Sequence, residues 1–359
     1  MAPVSRVLFT GYAPVHFACF RPLYEALLAT PGVDVTVSGG LRSRACEDDP
    51  WSYDADALYR PFRLSNASVL TVDEIRRRAF DVLCCANTKP IAPALHHRAI
   101  QIFHGLSFRN RALRARNLDY DHCFTVGPYM QRRLAGIGDE TDRGRLVPIG
   151  FPKTDHLLDG SVDRRAVQRS FGFDGTRPVL LYAPTGAHDN SLETIGEALL
   201  TRLRGHDRYD VIVKPHDHPK KPIDWFARLA PLENEHLRLA REPDVIPLMV
   251  ASDLLVSDAS SVAAEYTLLD RPIVFLDVPE LLAAAGADGD DRLDLATWGR
   301  RGGRVASGCD EALEAIAEEL AAPDEGLRDV RRALRDDCFF HPGAATHAAM
   351  TWLHEHVLS

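Results

Sequence analysis

Three short stretches in the second half of this chain carry side chains of the kinds that grip phosphate. Lys214-Pro215-His216 offers two cations, Thr185-Gly186 a hydroxyl beside a glycine, and Ser260-Ser261 two hydroxyls with Glu265 four residues on. Lysine and histidine neutralise phosphate oxygens, and hydroxyls donate hydrogen bonds to them. Taken singly, each has a plainer meaning. His216 alone is a surface-loop histidine, and the serines are residues of helix N-cap type. Glu265, in a first helical turn, either complements the helix dipole or meets ribose hydroxyls. Asp258 stands just ahead of the serine turn. The first half contributes His104 before Gly105, His16 after the first apolar run, and Arg109, Arg111, Arg114 and Arg116 with no acid among them.

The elements around these residues bring them together. Apolar runs at 179–183, 210–214 and 254–257 read as strands, and the Thr185, His216 and serine loops follow them. A helix over 192–203 separates the first two runs. Short helices over 246–251 and from the serines to about Leu269 flank the third, and Pro272 opens another strand at 273–276. Strands alternating with helices make a parallel sheet, whose carboxyl ends share one edge, so the three loops converge there. At that edge free N–H groups and the helix dipole favour an anion.

The first half repeats the pattern. Strands are predicted at 7–10, 33–37, 81–86, 100–104, 123–127 and 146–150. A loop holding His16 precedes a helix from about Arg21, and further helices are predicted over 72–80 and 129–135. The fold class is therefore α/β, with two doubly wound, Rossmann-like domains facing a cleft. Residues 1–158 form the first domain and 159–340 the second; 341–359 carry a C-terminal helix that can cross back to the first domain.

Composition narrows the function classes. A length of 359 residues suits two domains. A net charge of −9 argues against a general nucleic-acid binder. The N-terminus reads as a strand rather than a signal peptide, and no apolar run is long enough to cross a bilayer. Seven cysteines without CxxC spacing fit reduced, buried thiols and a cytoplasmic protein. No G-x-G-x-x-G follows a strand and no G-x-x-x-x-G-K-[ST] occurs, which argues against dinucleotide and P-loop chemistry. The acidic run at Asp288, Asp290, Asp291 and Asp294 lacks EF-hand spacing, and no metal site is expected.

Read in order, the motifs resemble those of the CDP-glycerol glycerophosphotransferase family, the enzymes that prime or polymerise teichoic acid. The matching pieces are Phe103-His104-Gly105, GFPKTD from Gly150, YAPT from Tyr182, KPH from Lys214, and ASDLLVSDASSVAAEYTLLDRPIVFLD from Ala251. Three positions depart from the family pattern: Asp217 where proline is usual, Ala259 where an aromatic is usual, and Ala348 where an arginine is expected.

The resemblance implies a GT-B fold and a metal-independent transferase without a cofactor. A glycerophosphate or similar polyol-phosphate group would pass from a CDP-linked donor, such as CDP-glycerol, to an acceptor hydroxyl with release of CMP. His104 would be the catalytic base. His216 would assist catalysis and, with Thr185, Lys214, Asp258, Ser260, Ser261 and Glu265, hold the donor. His16, Arg109 and Arg111 would lie on the acceptor side. The acceptor would be phosphorylated or lipid-linked, which leaves room for peripheral contact with the inner face of a membrane. Two alternatives share these motifs: a glycosyltransferase using a UDP- or CMP-linked sugar, and a nucleotide-binding protein without turnover.

Overall fold

The computed structural model describes residues 5–11, 13–39, 59–64, 68–86, 95–106, 113, 119–139, 143–216, 223–287 and 300–358. The chain divides into two compact units. Unit 1 comprises Met1–Ser107, Arg111–Asp155 and Cys338–Ser359; unit 2 comprises Phe108–Asn110 and His156–Asp337.

Unit 1 is built on seven strands: β1 (Ser5–Gly11), β2 (Val33–Gly39), β3 (Val69–Leu70), β4 (Ala79–Cys85), β5 (Leu95–Ile102), β6 (His122–Thr125) and β7 (Leu146–Pro148). Their order is β3-β2-β1-β4-β5-β6-β7, and every pairing is parallel. β1 and β4 are therefore neighbours although 75 residues apart in sequence, with Val7 opposite Val82. The first helix, Pro14–Leu28, begins earlier than the sequence predicts. Pro14 occupies its first turn, where a missing N–H costs nothing, and Pro22 lies inside it. His16 consequently sits on the helix rather than in a loop. The helix predicted over 72–80 ends at Arg76, because Ala79 and Phe80 pair with Leu95 and His96 on β5. Phe9, Phe17, Phe20 and Tyr24 fill the core on one face, joined by Ala349 and Leu353 of the C-terminal helix, Ala345–His356.

The GFPKTD motif anchors that last helix. Gly150 has φ +96°, and a Cβ there would lie 2.2 Å from the Phe340 carbonyl oxygen, so both backbone and space demand glycine. Five residues on, the Asp155 carboxylate accepts the N–H groups of Ala345 and Thr346 at 3.0 and 2.7 Å. An aspartate distant in sequence thus satisfies two of the orphan donors that begin the C-terminal helix.

Unit 2 holds six parallel strands: β8 (Val179–Tyr182), β9 (Asp210–Val213), β10 (Leu237–Leu239), β11 (Leu254–Ser257), β12 (Ile273–Leu276) and β13 (Arg304–Ala306). The order is β10-β9-β8-β11-β12-β13. Strands β8, β9, β11 and β12 are buried along their whole length, which is why they read as unbroken apolar runs. The helix predicted over 192–203 opens as a π turn, Leu192–Gly196, before the regular helix Glu197–Arg204.

None of the described cysteines is in a disulfide, and all but Cys309 are buried. Among the described residues, no helix is long and apolar enough to cross a membrane.

Candidate functional site

In unit 2, the carboxyl edge of the sheet is organised by one buried carboxylate. Asp258, fully buried just past β11, accepts the N–H of Thr185 at 2.8 Å and that of Ala259 at 2.6 Å through Oδ1. Its Oδ2 accepts the N–H and hydroxyl of Ser191 at 3.0 and 2.8 Å. Because the Ser191 proton goes to the carboxylate, the Tyr182 hydroxyl donates to Ser191 Oγ, 2.7 Å away. Burial, and then the Asp258 charge, push the Tyr182 phenol well above its usual range, so it stays a donor. The Thr185 loop, the start of the π turn and the serine turn are thereby tied to one group. Charge-assisted bonds of this kind are roughly twice as strong as neutral ones.

The predicted phosphate ligands stand around this hub. Lys214 and Thr185 are buried, and Ser260 lies at the edge of burial. Lys214 Nζ donates to the Pro215 carbonyl at 3.4 Å. His216 is exposed, with its imidazole packed over Gly186: a Cβ there would meet ring atoms at 2.8 Å. Ser260 Oγ accepts the Val262 N–H at 3.4 Å, whereas Ser261, at the N-cap position of the helix Val262–Tyr266, makes no side-chain cap. Glu265 is on this helix and buried. Asp258 is expected from the sequence among the donor-holding residues. Both its oxygens are filled by protein donors, so what it does in this structure is tie these loops to one another. An acceptor-only group suits that task better than contact with a phosphate.

In unit 1, β1, β4 and β5 are adjacent, and their carboxyl ends deliver a second cluster. Just past β5, His104 is half-buried, and its Nδ1 lies 3.2 Å from the Ala86 carbonyl just past β4. A carbonyl oxygen only accepts, so Nδ1 carries the proton and neutral His104 keeps its lone pair on Nε2. The His16 ring stacks on it, with centroids 4.7 Å apart and planes at 28°. His16, placed on the acceptor side by the sequence reading, is itself buried. Burial lowers the His104 pKa; the bond to Ala86 opposes this, and the charge of Lys153 adds to it. Lys153 is buried after β7, its Nζ 5.7 Å from the Phe151 ring centroid.

Arg109, Arg111, Arg114, Arg116, Asp217 and the acidic run at 288–294 lie outside the described residues. Ala348, in the position where an arginine was expected, packs partly buried against the core. Sequence reasoning overlooked Ser191, Tyr182 and Lys153. Tyr182 and Lys153 lie inside quoted motifs; Ser191 carries only an N-cap signal after Asn190. Among the described residues, no three His, Cys, Asp or Glu side chains gather as a metal site requires.

A family model described as CDP-Glycerol:Poly(glycerophosphate) glycerophosphotransferase matches residues 97–282, just over half of the chain. A teichoic acid glycerol-phosphate primase of Bacillus spizizenii is 28% identical over 133 residues, covering 36% of this chain and 33% of that protein. A teichoic acid ribitol-phosphate primase of the same organism is 28% identical over 166 residues, covering 44% and 41%. The chain thus spans well under half the length of these relatives. Among solved structures, the wall teichoic acid polymerase TagF, in a variant soaked with CDPG, superposes with a TM-score of 0.66 at 16% identity, covering 99% of this chain and 89% of that one. A UDP-GlcNAc 2-epimerase of Neisseria meningitidis bound to UDP-GlcNAc gives 0.58 at 13% identity, covering 97% and 100%. The fold is of GT-B type.

Proposed function

We propose a function from the premise that the chain belongs to the CDP-glycerol:poly(glycerophosphate) glycerophosphotransferase family: it transfers a polyol-phosphate group from a CDP-linked donor to an acceptor hydroxyl. In this reading unit 2 grips the donor. The donor pyrophosphate takes hydrogen bonds from Thr185, Ser260 and Ser261 and charge from Lys214 and His216. Asp258 contributes by holding the loops that present them. Unit 1 supplies the base. His104 Nε2 takes the proton of the acceptor hydroxyl, the oxygen attacks the distal phosphorus, and CMP leaves. Negative charge growing on the leaving phosphate falls to Lys214, His216 and the N–H groups of the serine turn, with no cofactor or metal required.

The observation that carries this reading is the hydrogen bond from His104 to Ala86. It leaves a neutral imidazole with its basic atom free at the carboxyl edge of the sheet, as a general base requires. The relatives bear on the transferred group: one is a glycerol-phosphate and one a ribitol-phosphate primase, so a polyol phosphate is the common denominator.

Calorimetry with CDP-glycerol, CDP-ribitol, CMP-sialic acid and UDP-GlcNAc, followed by a product assay on lipid-linked and phosphorylated acceptors, tests the proposal. Binding of a CDP-polyol with release of CMP is expected. His104→Ala should lower transfer by about 100-fold or more while leaving donor affinity within about twofold. Exclusive binding of UDP-GlcNAc, or undiminished transfer by His104→Ala, would overturn it.

A further inference from the structure

We infer that His16 is a positioning residue for His104: its buried ring, stacked on the His104 imidazole, holds Nδ1 on the Ala86 carbonyl and so keeps Nε2 the basic atom. This rests on the reading of His104 as the base. A single hydrogen bond of 3.2 Å restrains one atom of a ring and leaves its plane free to turn. A flat neighbour in stacking contact removes that freedom, and the two planes here are within 28° of parallel.

The support is itself fixed. His16 lies near the start of a fifteen-residue helix and is 1% exposed. It presses so closely on the end of β1 that a Cβ on Gly11 would lie 2.7 Å from the His16 Cβ. Ala86, whose carbonyl accepts the His104 N–H, is tied to the same strand, its own N–H donating to the Thr10 carbonyl at 3.3 Å. Thr10 and Gly11 thus brace both groups that hold His104. The sheet order makes this possible, since β1 lies beside β4 and β4 beside β5. Pre-organisation of this kind governs rate, because misplacement of a base by about 1 Å costs on the order of 100-fold in turnover.

The test uses the full chain with His16→Ala, His16→Phe and His104→Ala. His16→Ala should lower kcat on the order of 10-fold to 100-fold, with the donor KM little changed. His16→Phe restores a flat ring and should recover most of kcat. Nitrogen-15 spectra of the His104 ring, identified by its loss in His104→Ala, should show the Nδ1–H tautomer in the parent and in His16→Phe. In His16→Ala they should show a mixture of tautomers. Full kcat in His16→Ala, equal loss in both His16 variants, or an unchanged tautomer in His16→Ala would overturn the inference. The two readings fail differently. An inactive His104→Ala beside a fully active His16→Ala removes only the positioning role; an active His104→Ala removes the base and its support together.

Discussion

Asp155 accepts the backbone N–H of Ala345 across 190 residues of sequence, and its second oxygen accepts that of Thr346. The aspartate of the GFPKTD motif is therefore a remote cap. Lys153, whose charge lowers the His104 pKa, lies on the same short 3-10 segment, Pro152–Leu157. Asp155→Ala leaves two helix-starting donors without this partner. It should cost about 1–2 kcal/mol in urea unfolding, the upper range for lost caps. Asp155→Asn, which keeps one acceptor, should cost less. Equal stability of Asp155→Ala and the parent would remove the capping role.

The Asp258 hub makes a stronger demand. Its two oxygens receive three backbone N–H groups and one hydroxyl, all buried. Asparagine offers one acceptor oxygen and turns an NH2 toward donors that need an acceptor. Asp258→Asn should therefore lose about 3 kcal/mol, and donor affinity should fall with it as the Thr185 loop and the serine turn separate. Denaturant titration and calorimetry check both effects. Parent-like stability with parent-like donor binding would show that the loops do not depend on this carboxylate.

Much of this frame was legible in the sequence. A central parallel strand is apolar on both faces, so runs such as LLVS and IVFL announce themselves, and polar loops after them mark the ligand edge. Strand order is a different matter. No apolar pattern tells that β1 lies beside β4, and without that adjacency His16 and His104 cannot be paired. The same holds for Ser191 and Asp258: each reads as an ordinary turn residue until β8 and β11 are set side by side. The first helix starts at Pro14, earlier than the predicted start near Arg21. Pro14, just past the strand end, fits a first turn because its missing N–H is one of the orphan donors there.

Gly186 offers a probe of His216 that leaves the backbone alone. The residue does not occupy the left-handed region, so alanine is acceptable there by conformation. Its methyl would lie 2.8 Å from the His216 ring, and the exposed imidazole must move aside. Gly186→Ala should leave stability within about 1 kcal/mol of the parent, as for most substitutions away from the core. Donor affinity or turnover should fall on the order of tenfold through loss of one hydrogen bond to the donor. Parent-like kinetics would mean that His216 does not act from the position over Gly186.

The pH profile tests the electrostatics of unit 1. On the proposed mechanism a base at His104 must be neutral, so transfer should decline as pH falls through its pKa. Burial holds that pKa below the ordinary histidine value of about 6.5, and Lys153 adds to the effect against the opposing pull of the Ala86 carbonyl. The acid limb of kcat/KM should therefore lie below the ordinary imidazole range. His16 stacks on the same ring, and its variants serve as controls for packing. Replacing Lys153 with methionine removes a positive charge that disfavours imidazolium. The His104 pKa then rises and the acid limb moves to higher pH, whereas Lys153→Arg leaves it nearly in place. Stability follows the same sign. A depressed folded-state pKa means that the unfolded chain binds the proton more readily. The contribution is present above the unfolded pKa and is lost as pH falls through the folded one. Urea midpoints of the parent should accordingly drop toward those of His104→Gln across that interval. A downward move of the acid limb in Lys153→Met would show that this lysine does not raise the cost of protonating His104.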